Sequence, residues 1–281
     1  MTGVLQQLDA LYARRQPIVM LTAYDYPSAR VAEAGGVDVI LVGDSAAMTV
    51  LGYASTREIT IDELLMLTRA VRRAVTGIPV IGDLPYGSYE DSDAHAVASA
   101  LRFVREAGCD AVKLEGGGNM IPRVRAISAA GVPVFGHVGL LPQSVRTRDG
   151  YRARGREPGQ ALGIVSDADD LAAAGCRALI VEAVPAAVTA IITRRVGIPV
   201  IGIGAGAETN GQVLVYHDVL GFSEGRQARF VRQYATAKAD LSGAVARWAA
   251  DVRAGVYPAP EHTYPITEDA LGEVERRLAE G

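Results

Sequence analysis

A closed (β/α)8 barrel of the TIM type, followed by additional C-terminal helices, is the fold this sequence predicts. Three observations predict it. Short β-branched runs recur along the chain, each continuous and apolar, which is how a strand buried on both faces reads. Helical patterns lie between them, and no Pro/Ser-rich linker interrupts the alternation before Gly221, so one α/β domain is favoured over two. About seven strand-like runs precede Gly206 and an eighth falls at 213–215. Eight is the count that closes a barrel, whereas the open doubly wound sheet, the alternative, does not require it.

The first run is 17–23. The second, 37–42, follows the corner Ala34-Gly35-Gly36, and 111–114 and 178–181 follow Ala-Gly-Cys corners at Gly108 and Gly175. The runs 79–81, 132–135 and 200–203 open from Gly-Ile/Val-Pro-Val corners at Gly77, Gly131 and Gly197. The helical pattern 60–75 starts with Thr60-Ile61-Asp62-Glu63, a capping box with Thr60 as N-cap and Glu63 at the third helical position. Further helices are expected at 91–107, 119–130, 160–174 and 185–195, the last with Pro185 in its first turn. The Arg- and Gly-rich stretch 141–158 reads as a long surface loop. A helix at 227–253, the break Tyr257-Pro258-Ala259-Pro260, and an amphipathic stretch at 267–278 (a terminal helix or a frayed tail) complete the chain. We read 1–265 as one barrel domain including these helices, and 266–281 as a C-terminal extension.

Length and composition agree. A prior of about 150 residues per domain would allow two domains, but barrels commonly reach about 250 residues. Of 281 residues, 49% are hydrophobic and 21% charged, too apolar for a disordered chain. With 28 Lys and Arg against 32 Asp and Glu the net charge is −4, which argues against a general nucleic-acid binder. Cys109 and Cys176 sit at matching helix-to-strand corners and read as small buried thiols, not as a disulfide framework or a zinc site. Residues 1–16 are polar without the apolar core of a signal peptide, and there is no membrane-length apolar run. A soluble cytoplasmic protein is expected.

The informative residues follow the runs. Asp25 comes after the first, Asp44-Ser45 after the second, Asp83 after the third, Lys113 and Glu115 close the fourth, His137 the fifth and Glu182 the sixth. Each has a bland reading. Asp at a strand end often caps a helix. Lys113 and Glu115, two apart on a strand, share a face and could simply pair. A lone His is commonly structural, and His95, His217 and His262 look weaker still. Together, though, they deliver titratable groups to the carboxyl ends of the strands, where barrel active sites lie. Asp44, Asp83 and Glu115 form an oxygen-only set suited to a hard ion such as Mg²⁺. Two or three carboxylates with water would leave positions for a 2-oxo acid, and the ion would stabilise an enolate. Lys113 can offset substrate charge, and Glu182, on a separate strand, can take an α-proton.

Two glycine clusters are less specific. Gly202-Ile203-Gly204-Ala205-Gly206 resembles part of a dinucleotide fingerprint but falls at the seventh strand; a tight turn near a ligand is the better reading. Gly116-Gly117-Gly118 is either an anion nest or a flexible loop.

Taken together, the motifs resemble the ketopantoate hydroxymethyltransferase family from about Ile18 to Tyr264. The carriers are Leu21-Thr22-Ala23-Tyr24-Asp25-Tyr26, Val42-Gly43-Asp44-Ser45, Gly82-Asp83-Leu84-Pro85, Val112-Lys113-Leu114-Glu115-Gly116-Gly117, Gly136-His137-Val138-Gly139-Leu140, Pro142-Gln143-Ser144-Val145, Ile201-Gly202-Ile203-Gly204-Ala205-Gly206 and Gly211-Gln212-Val213-Leu214-Val215. The resemblance implies a (β/α)8 barrel and Mg²⁺-dependent transfer of a hydroxymethyl group from 5,10-methylenetetrahydrofolate to 2-oxoisovalerate, giving ketopantoate for pantothenate and coenzyme A. It implies Asp44 and Asp83 as direct metal ligands and Glu115 as a further metal-site carboxylate. Asp44, Ser45, Asp83 and Lys113 would contact the 2-oxo acid, Glu182 would accept the proton, and His137 would lie near the substrate. The family also implies a homo-oligomer, a decamer of two pentameric rings.

The chain departs from the family pattern at Arg146-Thr147-Arg148-Asp149-Gly150-Tyr151, at Ala153-Arg154-Gly155-Arg156, at Asn210-Gly211-Gln212 and at Glu261-His262-Thr263, and extends past the usual end through 266–281. These changes spare the metal set but touch the loop over the site, so a related enzyme acting on another 2-oxo acid is an alternative. A phosphoenolpyruvate mutase/isocitrate lyase-like C–C lyase is a second, although such enzymes place a Cys in an active-site loop and both Cys here lie at strand entrances. A non-catalytic or NAD-binding α/β protein is a third.

Overall fold

The computed structural model describes residues 3–145, 147, 151–223 and 227–281. Eight parallel strands close into a barrel in sequential order: β1 (Ile18–Thr22), β2 (Val39–Val42), β3 (Val80–Asp83), β4 (Ala111–Glu115), β5 (Val134–Gly139), β6 (Ala178–Glu182), β7 (Val200–Ile203) and β8 (Gly211–Leu214). The pair β1–β8 completes the ring, with Met20 opposite Val213. Every run expected from the sequence contributes a strand.

The helices are α1 (Gln6–Ala13), α2 (Tyr26–Ala34), α3 (Ala46–Thr49), α4 (Ile61–Ala74), α5 (Asp93–Ala107), α6 (Ile121–Ala129), α7 (Pro158–Ala173), α8 (Ala186–Arg195), α9 (Tyr216–Leu220), α10 (Ala237–Arg253) and α11 (Glu268–Ala279). The Thr60/Glu63 capping box forms at α4. Asp25 takes its bland role: its carboxylate accepts from the Ser28 N–H at 2.7 Å and caps α2. Helix α1 is a finding of the structure, since residues 1–16 read as polar; Leu5 and Leu8 are nevertheless buried. The helix expected at 227–253 begins only at Ala237. Its apolar spacing, Leu241, Val245, Trp248 and Val252, starts after that point, and residues 227–236 outside it are not helical.

Two-residue alternation along the strands builds two layers of core. Residues facing inward, among them Ile18, Met20, Val39, Leu41, Ile81, Ala111, Phe135, Ile180, Ile201 and Val213, form one buried cluster that Leu5 and Leu8 join. Their neighbours in sequence, such as Ile40, Val80, Val112, Leu114, Leu179 and Val200, face outward into the larger core with the helices. Two of those helix contacts require a strand glycine. A Cβ at Gly82 would collide with Phe103 of α5 and stand 2.8 Å from Cys109 Sγ; one at Gly136 would meet Cys176 Sγ at 3.0 Å. Both cysteines are free and buried, as the corners suggested.

By their internal contacts, residues Met1–Val219 with Ser223–Tyr234 form one compact unit, which contains the barrel. Residues Leu220–Phe222 with Ala235–Gly281 form a second. Among the described residues no helix is long and apolar enough to cross a membrane.

Candidate active site

Two residues beyond the inner apolar layer, the inward positions turn polar. Ile81 is followed by Asp83, Ala111 by Lys113 and Glu115, Phe135 by His137, and Ile180 by Glu182. Strand register sets Asp83 beside Lys113 and Glu115 beside His137. These groups, with Asp44 and Ser45, line one cavity of about 260 Å³ at the carboxyl ends of the strands. Every site residue expected from the sequence is therefore brought to one place.

Asp44 stands just past β2, where the chain turns into α3. Its backbone N–H donates to Asp83 Oδ2 at 3.1 Å. Lys113 Nζ donates to both carboxylate oxygens of Asp83, at 2.8 and 2.9 Å, and lies 3.6 Å from Glu115 Oε1. His137 stands between two carboxylates, with Nδ1 3.4 Å from Glu115 Oε1 and Nε2 3.3 Å from Glu182 Oε2. The Ser45 hydroxyl is 2.8 Å from the Tyr24 hydroxyl.

Burial and charge pull these groups in opposite directions. Burial pushes the Asp44 carboxyl well above the usual range, and the negative charge of Asp83 adds to the push. Burial likewise raises Asp83, with Lys113 opposing it. Burial would raise Glu115 too, but Lys113 and His137 hold it below the usual range. Burial would lower Lys113, but the surrounding carboxylates raise it, led by Asp83. Burial works against charge on His137, yet the neighbouring carboxylates of Glu115 and Glu182 raise it to about 9.

The donor set fits Mg²⁺. Asp44 and Asp83 offer hard oxygen ligands, both buried and both lining the cavity. Glu115 Oε1 is buried and makes no hydrogen bond among the described residues. No three His, Cys, Asp or Glu among those residues stand as a ready ligand cage. Mg²⁺ does not need one, since it commonly takes one or two carboxylates and keeps positions for water and substrate.

Several residues in or behind the cavity wall were not singled out from the sequence. Gln143 Nε2 donates to Asp44 Oδ2 at 3.0 Å, and Tyr89 hydroxyl donates to Gln143 Oε1 at 2.6 Å. Ile180, Ile203, Val213, Leu214, Val215 and Phe230 supply apolar wall. The only sequence signal for Gln143 was its place in the motif Pro142-Gln143-Ser144-Val145; the apolar wall had none, because its members look like any barrel residue. The loop read at 141–158 does reach the site, for Pro142 and Tyr151 line the cavity and Tyr151 hydroxyl lies 3.9 Å from Met48 Sδ. Of the sequence departures there, Arg146, Arg148, Asp149 and Gly150 lie outside the described residues.

The glycine clusters resolve as packing. A Cβ at Gly204, where φ is +62°, would collide with the Phe230 ring, so the turn after β7 is used for close contact. The Gly118 N–H donates to Asp167 Oδ1 at 3.1 Å, and a Cβ at Gly117 would collide with the same carboxylate. The chain's own Asp167 thus takes the place an external anion would have.

A family model for ketopantoate hydroxymethyltransferase matches residues 3–260. The chain belongs to the ketopantoate hydroxymethyltransferase family. As a ketopantoate hydroxymethyltransferase family member it is an enzyme of the transferase class. It is 48% identical over 252 residues to the 3-methyl-2-oxobutanoate hydroxymethyltransferase of Oleidesulfovibrio alaskensis, covering 90% of this chain and 87% of that one. The protein of the same name from Emericella nidulans is 43% identical, over 98% of this chain and 80% of its own. Among solved structures, phosphoenolpyruvate phosphomutase from Streptomyces platensis subsp. rosaceus superposes with a TM-score of 0.62 at 18% identity, covering 98% of each chain. A 2,3-dimethylmalate lyase superposes with a TM-score of 0.60 at 16% identity, covering 99% of this chain and 100% of that one. At such identities the likeness speaks for the barrel alone.

Proposed function

We propose that this enzyme transfers a hydroxymethyl group from 5,10-methylenetetrahydrofolate to 3-methyl-2-oxobutanoate (2-oxoisovalerate), giving ketopantoate for pantothenate and coenzyme A biosynthesis. The observation that carries the reading is the meeting of Asp44, Ser45, Asp83, Lys113, Glu115, His137 and Glu182 in one cavity of about 260 Å³, a volume suited to a five-carbon acid with part of a donor. The family match and the names of the relatives support the choice of substrates.

Asp44 and Asp83 would hold Mg²⁺, with Glu115 as the further carboxylate of that site. When bound, Mg²⁺ supplies Lewis acidity toward the keto and carboxylate oxygens of the substrate. Lys113 adds a fixed positive charge for the anionic acid, and Ser45 offers a hydroxyl held by Tyr24. Glu182 accepts the proton from C3 of the acid. His137 Nε2, 3.3 Å away, holds the Glu182 carboxylate in place. Water hydrolyses the two C–N bonds of the donor's one-carbon unit, freeing tetrahydrofolate and the unit as formaldehyde; the carbon nucleophile adds to that carbonyl carbon, and its oxygen takes a proton to become the product hydroxyl. Ile180, Ile203 and Val213 give the branched alkyl end an apolar seat.

The same proposal includes a cytoplasmic location, a homo-oligomer as in the decameric family assembly, and 1–265 as the working domain with 266–281 as an extension. Incubation with 2-oxoisovalerate, 5,10-methylenetetrahydrofolate and Mg²⁺ should yield ketopantoate, and Asp83→Ala should abolish it. Consumption of a different 2-oxo acid in its place would overturn the substrate and leave the chemistry standing.

A further inference from the structure

We infer that Gln143 is a positioning residue for this reaction: it fixes the Asp44 carboxylate so that the cation and the 2-oxo acid meet it in one orientation. The inference rests on the function proposed above. Gln143 lies in the single turn Pro142–Ser144 after β5 and is 2% exposed. A primary amide has two N–H donors and one acceptor oxygen, and all are engaged. Nε2 donates to Asp44 Oδ2 and to the Leu84 carbonyl, both at 3.0 Å, while Oε1 accepts from the Tyr89 hydroxyl at 2.6 Å. The amide cannot be turned over, because the oxygen would then face a carboxylate and a carbonyl, neither of which donates.

The backbone of Gln143 is tied as firmly as its side chain. Its N–H donates to Glu115 Oε2 at 3.0 Å. Its carbonyl accepts from Arg57 Nη1 at 2.9 Å, and that guanidinium lies 3.6 Å over the Tyr86 ring. Segments following β2, β3 and β5 therefore meet at this one residue. Lys113 cannot substitute for it at Asp44, since the ammonium is committed to both oxygens of Asp83. Among the described residues, Gln143 is the side-chain donor that Asp44 has. With Oδ2 held, Oδ1 is left for the cavity that Asp44 lines. Partners of this kind are what orient a ligating carboxylate.

The test uses the full chain, Mn²⁺ as the probe with no substrate present, and electron paramagnetic resonance of the free ion. Gln143→Met removes the amide at nearly constant volume, and Gln143→Asn keeps an amide but shortens its reach. Tyr89→Phe removes the far anchor, together with the longer contacts of that hydroxyl to the Glu115 backbone at 3.3 and 3.4 Å. We expect both Gln143 variants to weaken Mn²⁺ binding about 10- to 100-fold and to raise KM for the 2-oxo acid, with Tyr89→Phe costing less than about 3-fold. If Gln143→Met does not fold, Gln143→Asn carries the test. Gln143 variants that bind Mn²⁺ within about twofold of wild type would overturn the inference. So would a Tyr89→Phe loss as large as theirs, which would make the effect one of fold. A wild-type chain that binds no Mn²⁺ overturns the cation site and this inference together. Wild-type binding without turnover of 2-oxoisovalerate overturns the substrate alone, and the Mn²⁺ comparison still decides Gln143.

Discussion

Lys113 Nζ lies 2.8 and 2.9 Å from the two carboxylate oxygens of Asp83, with both side chains almost wholly enclosed. Removing one member of such a pair leaves a buried charge uncompensated. Lys113→Met should therefore destabilise the barrel by about 3–5 kcal/mol, measured by urea unfolding. Adding Asp83→Asn should restore part of that loss, although the double variant should remain inactive.

Tyr24 tests the arrangement from the other side. Its hydroxyl, 2.8 Å from Ser45 Oγ, sits on a ring that is 1% exposed. Tyr24→Phe keeps the ring and frees the serine to rotate. Given that one hydrogen bond contributes about 0.5–1.5 kcal/mol, steady-state kinetics should show KM for the 2-oxo acid rising roughly 3- to 10-fold, with kcat changed less.

Gly82 precedes Asp83 and lets α5 approach the sheet. A Cβ there meets Phe103 and Cys109, so Gly82→Ala should overpack the core by about 1–3 kcal/mol. Gly82→Ala with Phe103→Leu should recover some of it, as read by thermal unfolding of both variants.

The two thiols give a pH dependence. Burial pushes Cys176 up to about 12 and Cys109 higher. Unfolded cysteines release their protons near about 8.5, so above that pH the unfolded chain binds fewer protons than the folded one and stability falls as pH rises. Below it the thiols contribute no slope. We expect urea midpoints to decline from pH 8.5 upward, with the decline reduced in Cys109→Ser/Cys176→Ser, and native protein at pH 8 to resist a thiol-selective disulfide reagent.

Much of the fold was legible because the barrel imposes its own rhythm. The Gly-Ile/Val-Pro-Val corners, the Ala-Gly-Cys corners and Ala34-Gly35-Gly36 marked six of the strand entrances, and each run became a strand. The site was legible because charge at the end of a buried strand has few uses: Asp83, Lys113, Glu115, His137 and Glu182 could be named from position alone. Asp25 shows the limit, since a strand-end Asp that caps a helix reads the same as one that lines a cavity until the Ser28 N–H is seen to hold it. Helix α1 was hidden because its two buried leucines are set among polar residues. Gln143 was visible as part of a motif, but its role depends on Asp44, Glu115 and Tyr89 converging from segments remote in sequence.

Glu182 is proposed to take the C3 proton of the 2-oxo acid at a site where Asp44 and Asp83 would hold Mg²⁺. Proton NMR of 2-oxoisovalerate in D₂O with enzyme and Mg²⁺, without the folate donor, reads that proton transfer alone. Wild type should exchange the C3 proton for deuterium, and Glu182→Gln should do so about 10²- to 10⁴-fold more slowly while still binding the acid. Undiminished exchange by Glu182→Gln, or none by wild type with the acid bound, would contradict it.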